Sequence, residues 1–333
     1  MKKLEHITLE QWQNVCKKNR TLLEDFINNS IELSPKTKKS YESNLKIWFV
    51  WVMENLGNKP QTEIKPLEYK RFQNWLVNRG CSSADVNNKR AAVSSINGYI
   101  EVYYHDEYPM FRNFINKSIK RPEKSFTYEK EPLTKEEFQN LVAKLDEMKE
   151  WQKKAYILFT FETGCRREES RQLTKDVINA SPIIKYKTVV DERGNSSAKE
   201  VKYYKTKPIR CKGRSSVGKV RSLTFGEEAM NALKKWVEER GEDYCPYMFV
   251  SNYGGDVRQV CETTFNNWAK TVFEPIVGRR FTPHSIRRSR ATQAIMEDGV
   301  DINSVKHLLG HESAETTRIY VINHDEEDVD DLF

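Results

Sequence analysis

Four short segments in the second half of the sequence combine cationic side chains with a possible nucleophile. Each segment alone is weak evidence, because an arginine-rich helix is usually a solvated face and a lone histidine is usually a hydrogen-bonded core residue. Together they supply guanidinium, imidazole, ammonium and phenol groups without paired carboxylates. The segments are TGCRREES with Arg166 and Glu169, CKGRSSVGKV with Lys212 and Lys219, FTPHSIRRSRAT with His284 and Arg287, and HLLGHESAETTRIY with His311 and Tyr320.

This set of groups suits phosphoryl transfer to a nucleophile on the protein. Guanidinium forks match the non-bridging oxygens of the transition state with bidentate hydrogen bonds. The phenol of Tyr320 has a pKa near ~10 in water, so it needs a neighbouring base or a cationic field, which His284 and the arginines can supply. A departing 5′ oxygen of DNA needs a proton, a natural role for a lysine. Storing the phosphodiester on tyrosine conserves bond energy, so we expect no cofactor.

Two other kinds of site are disfavoured. Residues 213–220, GRSSVGKV, resemble a phosphate-binding P-loop, but Val220 stands where the Mg²⁺-binding Ser or Thr belongs, and a strand is predicted to follow. His307 and His311 have the i, i+4 spacing of metal ligands, but Gly310 breaks the helix between them and the glutamate of HExxH is absent. We therefore expect neither a nucleotide site nor a metal site.

Size and charge favour two domains that bind a polyanion. The chain has 333 residues, which exceeds the comfortable size of one core. Its net charge is +7, although the last segment, HDEEDVDDLF, is acidic. Nucleic acid is the first candidate partner, while ordinary solvated lysines explain the charge equally well.

The sequence also favours a cytoplasmic, nucleoid-associated protein. The six cysteines are scattered without a CxxC pair, which argues against a disulfide framework and a cysteine zinc site. The opening segment MKKLEHITLEQW lacks the apolar stretch of a secretory signal. No apolar run approaches the ~20 residues of a membrane span, so we expect no membrane partner.

The first part of the chain predicts helices. We expect a short helical extension over residues 1–30 and a helical domain over 31–118. Ser34 and Pro35 are a good N-cap and first helical residue, and further helices are predicted near residues 65–80 and from Ser82 or Ser83 onward. In this last helix a polar group can lie on a DNA groove or form a solvated face; its members are Asn87, Asn88, Lys89 and Arg90.

A charged, proline-containing linker over residues 119–132 is predicted to precede a second domain over 133–333, which includes the acidic tail. Thr134 with Glu137 forms a capping box that opens its first helix. Strands are expected at 182–190, 200–210 and 219–225, forming a small antiparallel sheet. Helices are predicted from there to the tail, one of them opened by Thr282 and Pro283.

The order of these residues resembles the tyrosine recombinase, or phage integrase, family. Arginine in TGCR, a strand-turn lysine, H-x-x-R, G-H and then tyrosine nine residues later follow the family's order. The segment HSIRRSRATQAIMEDGVDINSVKHLLGHESAETTRIY is similar to its C-terminal signature, including GVD between helices and LLGH before the tyrosine. Residues 34–118 are similar to the family's core-binding domain.

The resemblance implies a mainly α fold with a small antiparallel sheet, arranged as a two-domain DNA clamp. A helical core-binding domain would precede an α+β catalytic domain. The implied activity is that of a site-specific DNA recombinase of a phage or mobile element, working through a 3′-phosphotyrosyl bond. Implied partners are double-stranded DNA with a recombination site and accessory DNA-bending or directionality factors. The implied assembly is a homotetramer in the synapse and a monomer or dimer when free.

The resemblance also implies roles for single residues. Arg166 and Arg287 would bind the scissile phosphate and Glu169 would orient the arginine site; His284 would accept a proton, His311 would hydrogen-bond a phosphate oxygen and Tyr320 would attack.

The general acid stays open among three lysines, because the β-turn segment is longer than usual in the family. Lys212 fits the strand-end position best, Lys219 is second and Lys207 is third. Two other functions also stay open: a type IB-like topoisomerase and a non-catalytic DNA-binding relative. The 30-residue N-terminus is too short for the separate arm-type DNA-binding domain of many phage integrases.

Overall fold

The computed structural model describes residues 7–115, 119–123, 131–190, 196–211, 218–311 and 313–318. These residues are mainly helical and carry small antiparallel sheets, which confirms the predicted fold class. They fall into two compact units, the first described up to residue 123 and the second described from residue 131.

The first unit consists of helices joined by short loops. Ser34 caps one helix and Ser82 caps another, because each hydroxyl accepts a hydrogen bond from the backbone N–H three residues later. Both predicted helix starts are confirmed. The helices are α1 (Leu9–Asn14), α2 (Lys17–Asn29), α3 (Pro35–Asn55), α4 (Pro66–Asn78) and α5 (Ser83–Tyr103), with a 3-10 turn at Gln61–Glu63.

An aromatic cluster forms the core of the first unit. The ring of Trp48 lies 5.5 Å from that of Tyr69 and 4.8 Å from that of Phe72, and all three side chains are fully buried. Aromatic side chains each bury on the order of 150–250 Å², so this cluster contributes much of the stability. Leu22 and Phe26 of α2 belong to the same core, so the helices at the N-terminus pack as part of this unit.

The second unit begins with the predicted capping box, in which Thr134 and Glu137 exchange side-chain and backbone hydrogen bonds. Its helices are α6 (Lys135–Glu147), α7 (Trp151–Thr163), α8 (Arg167–Arg171), α9 (Glu227–Arg240), α10 (Thr264–Trp268), α11 (Glu274–Val277), α12 (Pro283–Met296), α13 (Ile302–Leu309) and α14 (Glu315–Arg318), with a 3-10 turn at Lys175–Asn179 and a π turn at Ala269–Phe273.

Helix α7 forms the centre of the second unit. Tyr156 stacks on Phe265 at 4.2 Å and meets Phe249 edge-on at 5.6 Å. The helix ends at Gly164, whose φ of +56° suits glycine and turns the chain sharply towards Arg166. The buried helix therefore holds the predicted arginine segment in a fixed place.

The predicted strands are present, but they are divided among small sheets. Strands β1 (Ile183–Val190), β2 (Ser196–Lys205) and β5 (Thr224–Gly226) form one antiparallel sheet in the order β1-β2-β5. A separate hairpin joins β3 (Ile209–Cys211) to β4 (Lys219–Arg221). The single strand predicted over residues 200–210 is interrupted before Ile209 because Pro208 has no N–H to donate to a ladder.

The prediction of helices throughout the region after Phe225 is wrong for residues 250–259. Strands β6 (Val250–Tyr253) and β7 (Asp256–Gln259) pair as a hairpin. Its turn is made by Gly254 and Gly255, with φ of +61° and +89°. Strands of four residues are too short to show a clear two-residue period, although the Gly-Gly pair is a recognised hairpin signal.

Candidate active site

Arg287 is almost fully buried, like Glu169 among the predicted site residues. It lies in the first turns of α12, which begins at Pro283 as predicted, and its side chain is 1% exposed. Its guanidinium donates to the carbonyl oxygen of Gly164 at 2.5 Å and to that of Leu309 at 2.7 Å. A buried charge is tolerated only with such partners. Arg287 thus joins the arginine segment after α7 to the end of α13.

His311 follows Gly310 at the end of α13 and lies against Arg287. Its Nε2 is 2.8 Å from Nη2 of Arg287, and its Nδ1 is 2.9 Å from Oγ1 of Thr317. Arginine has no acceptor, so Nε2 accepts and the ring is the neutral tautomer whose Nδ1–H donates to Thr317. Burial, then the charges of Arg287 and Arg166, lower the pKa of His311 to about 4. His311 is therefore uncharged at neutral pH.

Arg166 and Glu169 form the second half of this cluster. Arg166 caps α8, and Glu169 accepts from its backbone N–H at 3.1 Å and from its Nη1 at 3.2 Å. The carboxylate is 1% exposed, whereas the Arg166 side chain is 32% exposed. Glu169 thus anchors Arg166 from beneath and leaves part of its guanidinium accessible to a ligand.

Arg221 is a further member of the cluster that the sequence patterns did not single out. Its Nη2 donates to Oε2 of Glu169 at 2.9 Å, and its Nη1 donates to the carbonyl oxygen of Leu308 at 2.6 Å. Burial raises the pKa of Glu169, but the charge and hydrogen bond of Arg221 and the contacts with Arg166 hold it below the usual value. The sequence did contain a signal for Arg221. It lies two residues after Lys219 in a predicted strand, so the two side chains share one face of that strand.

His284 lies one turn before Arg287 on α12 and is exposed. Its charge is among those that lower the pKa of His311, which places it near that ring. The described predicted residues that the structure brings together are Arg166, Glu169, His284, Arg287 and His311.

The lysine candidates are placed unequally. Lys219 opens β4 opposite Cys211 and is exposed. Lys207 lies between strands, is exposed and pairs with the carboxylate of Asp176. Lys212 and Tyr320 lie outside the described residues.

The prediction that the polar group on α5 faces a DNA groove or solvent does not hold for Lys89 and Arg90. Lys89 and Arg90 are 3% and 4% exposed, so neither a groove contact nor a solvated face describes them. Lys89 pairs with Asp85 at 2.6 Å, and Arg90 donates to the carbonyl of Ile115 at 2.6 Å. This face of α5 turns into the unit, which removes both cations from the surface.

Asn87 and Asn88 differ from these buried cations. Asn87 is half-buried and Asn88 is exposed. Asn88 is therefore the member of this group that can reach a groove.

Among the described residues, no cluster of three or more His, Cys, Asp or Glu side chains is arranged to hold a metal ion. None of the helices described above combines the length and the apolar composition needed to cross a bilayer.

Comparison with known sequences decides the family. The sequence model described as the phage integrase family matches residues 131–327, which include all four segments that carry the predicted site. The chain belongs to the phage integrase family. A relative that matches along nearly the whole chain is the SPbeta prophage-derived recombinase-like protein YomM of Bacillus subtilis (strain 168). It is 31% identical over 336 residues, which cover 99% of this chain and 95% of YomM.

Other known proteins are similar to this phage integrase family member over part of the sequence or in the fold. Tyrosine recombinase XerA of Pyrococcus furiosus is 32% identical over 103 residues, covering 31% of this chain and 35% of XerA. The Tn1549 transposon integrase in complex with transposon right end DNA has a similar fold, with a TM-score of 0.65 and 16% identity over 91% of this chain and 94% of that one. XerH recombinase bound to a palindromic difH substrate gives a TM-score of 0.62 at 17% identity, covering 99% and 97% of the two chains.

Proposed function

We propose that this chain is a tyrosine site-specific recombinase that breaks and rejoins DNA through a 3′-phosphotyrosyl bond at Tyr320. The observation that carries the proposal is the cluster of Arg166, Glu169, Arg287 and His311, which lies inside the region matched by the family. It gathers positive charge at one place where phosphodiester oxygens can bind.

In the proposed reaction, Arg166 and Arg287 bind the non-bridging oxygens of the scissile phosphate. The phenol oxygen of Tyr320 attacks phosphorus, and its proton passes to His284. The bond to the 5′ oxygen breaks, and that oxygen takes a proton from a lysine, with Lys212 preferred over Lys219 and Lys207. The DNA is then held by its 3′ phosphate on tyrosine, and attack by another 5′ hydroxyl reverses the steps. No cofactor enters because the bond energy is conserved.

His311 is proposed to donate a hydrogen bond to a phosphate oxygen, and this requires a change on DNA binding. In the structure its Nε2 accepts from Arg287, so that atom carries no proton. A phosphate between the guanidiniums would offset the positive charges that lower the pKa of His311. The ring would then gain a proton at Nε2 and become a donor.

The substrate is proposed to be double-stranded DNA with a specific recombination site, belonging to a phage or mobile element. Support comes from the prophage origin of YomM, from the transposon right end DNA bound by the Tn1549 integrase and from the difH substrate bound by XerH. We expect a two-domain clamp, formed by a core-binding domain over residues 31–118 with its 1–30 extension and a catalytic domain over 133–333, joined by 119–132. A tetramer in the synapse, a free monomer or dimer, accessory factors and a nucleoid location belong to the same proposal.

The experiment that tests this function recovers covalent protein–DNA complexes. The purified protein is incubated with DNA from the region that flanks its coding sequence, the mixture is denatured, and protein-linked fragments are sequenced. We expect fragments that end at one defined position with the protein on a 3′ phosphate. Relaxation of supercoiled DNA with ends at scattered positions would instead identify a type IB-like topoisomerase. Binding without covalent fragments would identify a non-catalytic relative.

A further inference from the structure

We infer that Arg221 is a positioning residue, which fixes the β3–β4 hairpin and its lysine general acid against the cluster of Arg166 and His311. The inference rests on the proposed function and names a residue to which the predicted mechanism gives no role.

Arg221 joins three parts of the site by its own hydrogen bonds. It stands at the end of β4 and donates to Glu169, the carboxylate that also holds Arg166. Its other terminal nitrogen donates to Leu308, in the last turn of α13. A cation at this helix end also satisfies carbonyls that have no partner within the helix. One side chain therefore links the hairpin, the Arg166 anchor and the helix end that precedes His311.

The shape of the backbone accommodates this side chain. Gly310 has φ of +65°, and a Cβ added there would lie 2.9 Å from Nη1 and 3.0 Å from Cζ of Arg221. A Cβ essentially never makes so close a contact, so the glycine is needed for the guanidinium to reach Leu308 as well as for the turn itself. The sequence GH before the tyrosine segment thus has a steric reason that involves Arg221.

The register of the hairpin connects Arg221 to the lysines. Arg221 pairs with Ile209, and Lys219 pairs with Cys211, the residue directly before Lys212. Lys219, one candidate for the general acid, therefore belongs to the short hairpin that Arg221 ties down, and Lys212 directly follows strand β3 in the sequence. A ladder of three residues on each strand is short, so contacts outside the hairpin must hold it in place.

Attraction between opposite charges stabilises the contact between Arg221 and Glu169. Burial lowers the pKa of Arg221, but Glu169 more than reverses this and raises it above the usual value. Glu169 in turn is buried and shared between two arginines. Without Arg221, the hairpin would keep the hydrogen bonds between Gln172 and the backbone of Arg210 on β3, but it would lose its link to Glu169 and Leu308. The lysine would then lose its position beside the leaving 5′ oxygen.

The test compares two DNA substrates that carry the recovered site. One has the ordinary 5′ oxygen at the cleaved bond and the other has a bridging 5′ sulfur, which departs without a proton. For Arg221→Ala we expect cleavage of the oxygen substrate to fall roughly 100-fold relative to wild type, the typical contribution of a general acid. Cleavage of the sulfur substrate should remain within a few-fold of wild type. Equal losses on both substrates, or no loss on either, would overturn the inference.

Arg171→Ala is the matched control. Arg171 also forms an ion pair with a glutamate of α8, Glu168, but its other side-chain contact is with Gln259 of β7. We expect both substrates to be cleaved at nearly the wild-type rate. A wild-type protein that cleaves neither substrate would reject the proposed function and the inference together, whereas an intact wild type with equal losses for Arg221→Ala would reject the inference alone.

A second variant covers the possibility that Arg221→Ala unfolds because the buried carboxylate of Glu169 keeps only Arg166 as a partner. Arg221→Lys keeps the positive charge beside Glu169, but one ammonium nitrogen replaces the two nitrogens that donate to Glu169 and Leu308. We expect Arg221→Lys to retain the selective loss on the oxygen substrate. Recovery of wild-type cleavage on that substrate would show that Arg221 only neutralises Glu169, and would overturn the positioning role.

Discussion

Nη2 of Arg287 lies 2.8 Å from Nε2 of His311 and donates to it, while the Nδ1–H of His311 donates to Thr317. An imidazole that accepts from a guanidinium cannot be protonated on the same nitrogen. The two predicted phosphate ligands therefore hydrogen-bond to each other, and the contact with Arg287 favours the neutral imidazole of His311.

The protonation of His311 should appear in the pH dependence of stability. The pKa of His311 falls from 6.5 to about 4 on folding, so the unfolded chain binds more protons than the folded one between these values. Its contribution is complete above pH 6.5 and is lost as the pH falls towards 4. We expect the free energy of unfolding of wild type to drop more steeply in this window than that of His311→Gln, measured by urea denaturation. Parallel curves for the two proteins would contradict the neutral, buried imidazole.

Glu169→Gln should be strongly destabilising because it leaves two arginines beside an uncharged amide. Removing one partner from a buried ion pair typically costs about 3 kcal/mol or more. Glu168→Gln is the control, since Glu168 pairs with Arg171 but its side chain is 42% exposed. We expect a loss below about 1 kcal/mol for that variant. Denaturant unfolding compares the two, and similar losses would show that Glu169 does not anchor the arginines.

Gly310→Ala should cost more than the same change at a glycine with a similar positive φ. Gly254 has φ of +61° with no heavy atom within 4 Å of an added Cβ, whereas Gly310 has φ of +65° and Arg221 beside it. Gly254→Ala should lose only the stability that corresponds to the strain of alanine in the left-handed conformation, on the order of 1–2 kcal/mol. Gly310→Ala adds the displacement of Arg221. Thermal unfolding that gives equal losses for both variants would disprove the close approach.

The local features of the fold were predictable from the sequence, and the long-range ones were not. Ser34, Thr134 and Thr282 cap their helices as predicted, since a cap depends only on the next three residues. The contacts of Arg221 join residues 52 and 87 positions apart, and no local spacing reveals them.

The buried cations of α5 show a related limit. Lysine and arginine are almost never fully buried without a partner, and the partner of Arg90 is a carbonyl 25 residues away. The sequence shows the charge of Arg90 but not this acceptor. The roles of the site residues stay predictions. Tyr320 and Lys212 themselves lie outside the described residues.

The central claim is tested most directly by replacing the nucleophile. Tyr320→Phe removes one oxygen, and Tyr253→Phe makes the same change at an exposed tyrosine of β6 that has no role in the proposed site. Both variants are incubated with the recovered DNA site, and covalent complexes are counted on denaturing gels beside a DNA-binding titration. We predict that Tyr320→Phe binds DNA nearly as well as wild type and forms no covalent complex, while Tyr253→Phe forms it normally. Covalent complexes that persist in Tyr320→Phe would contradict the account.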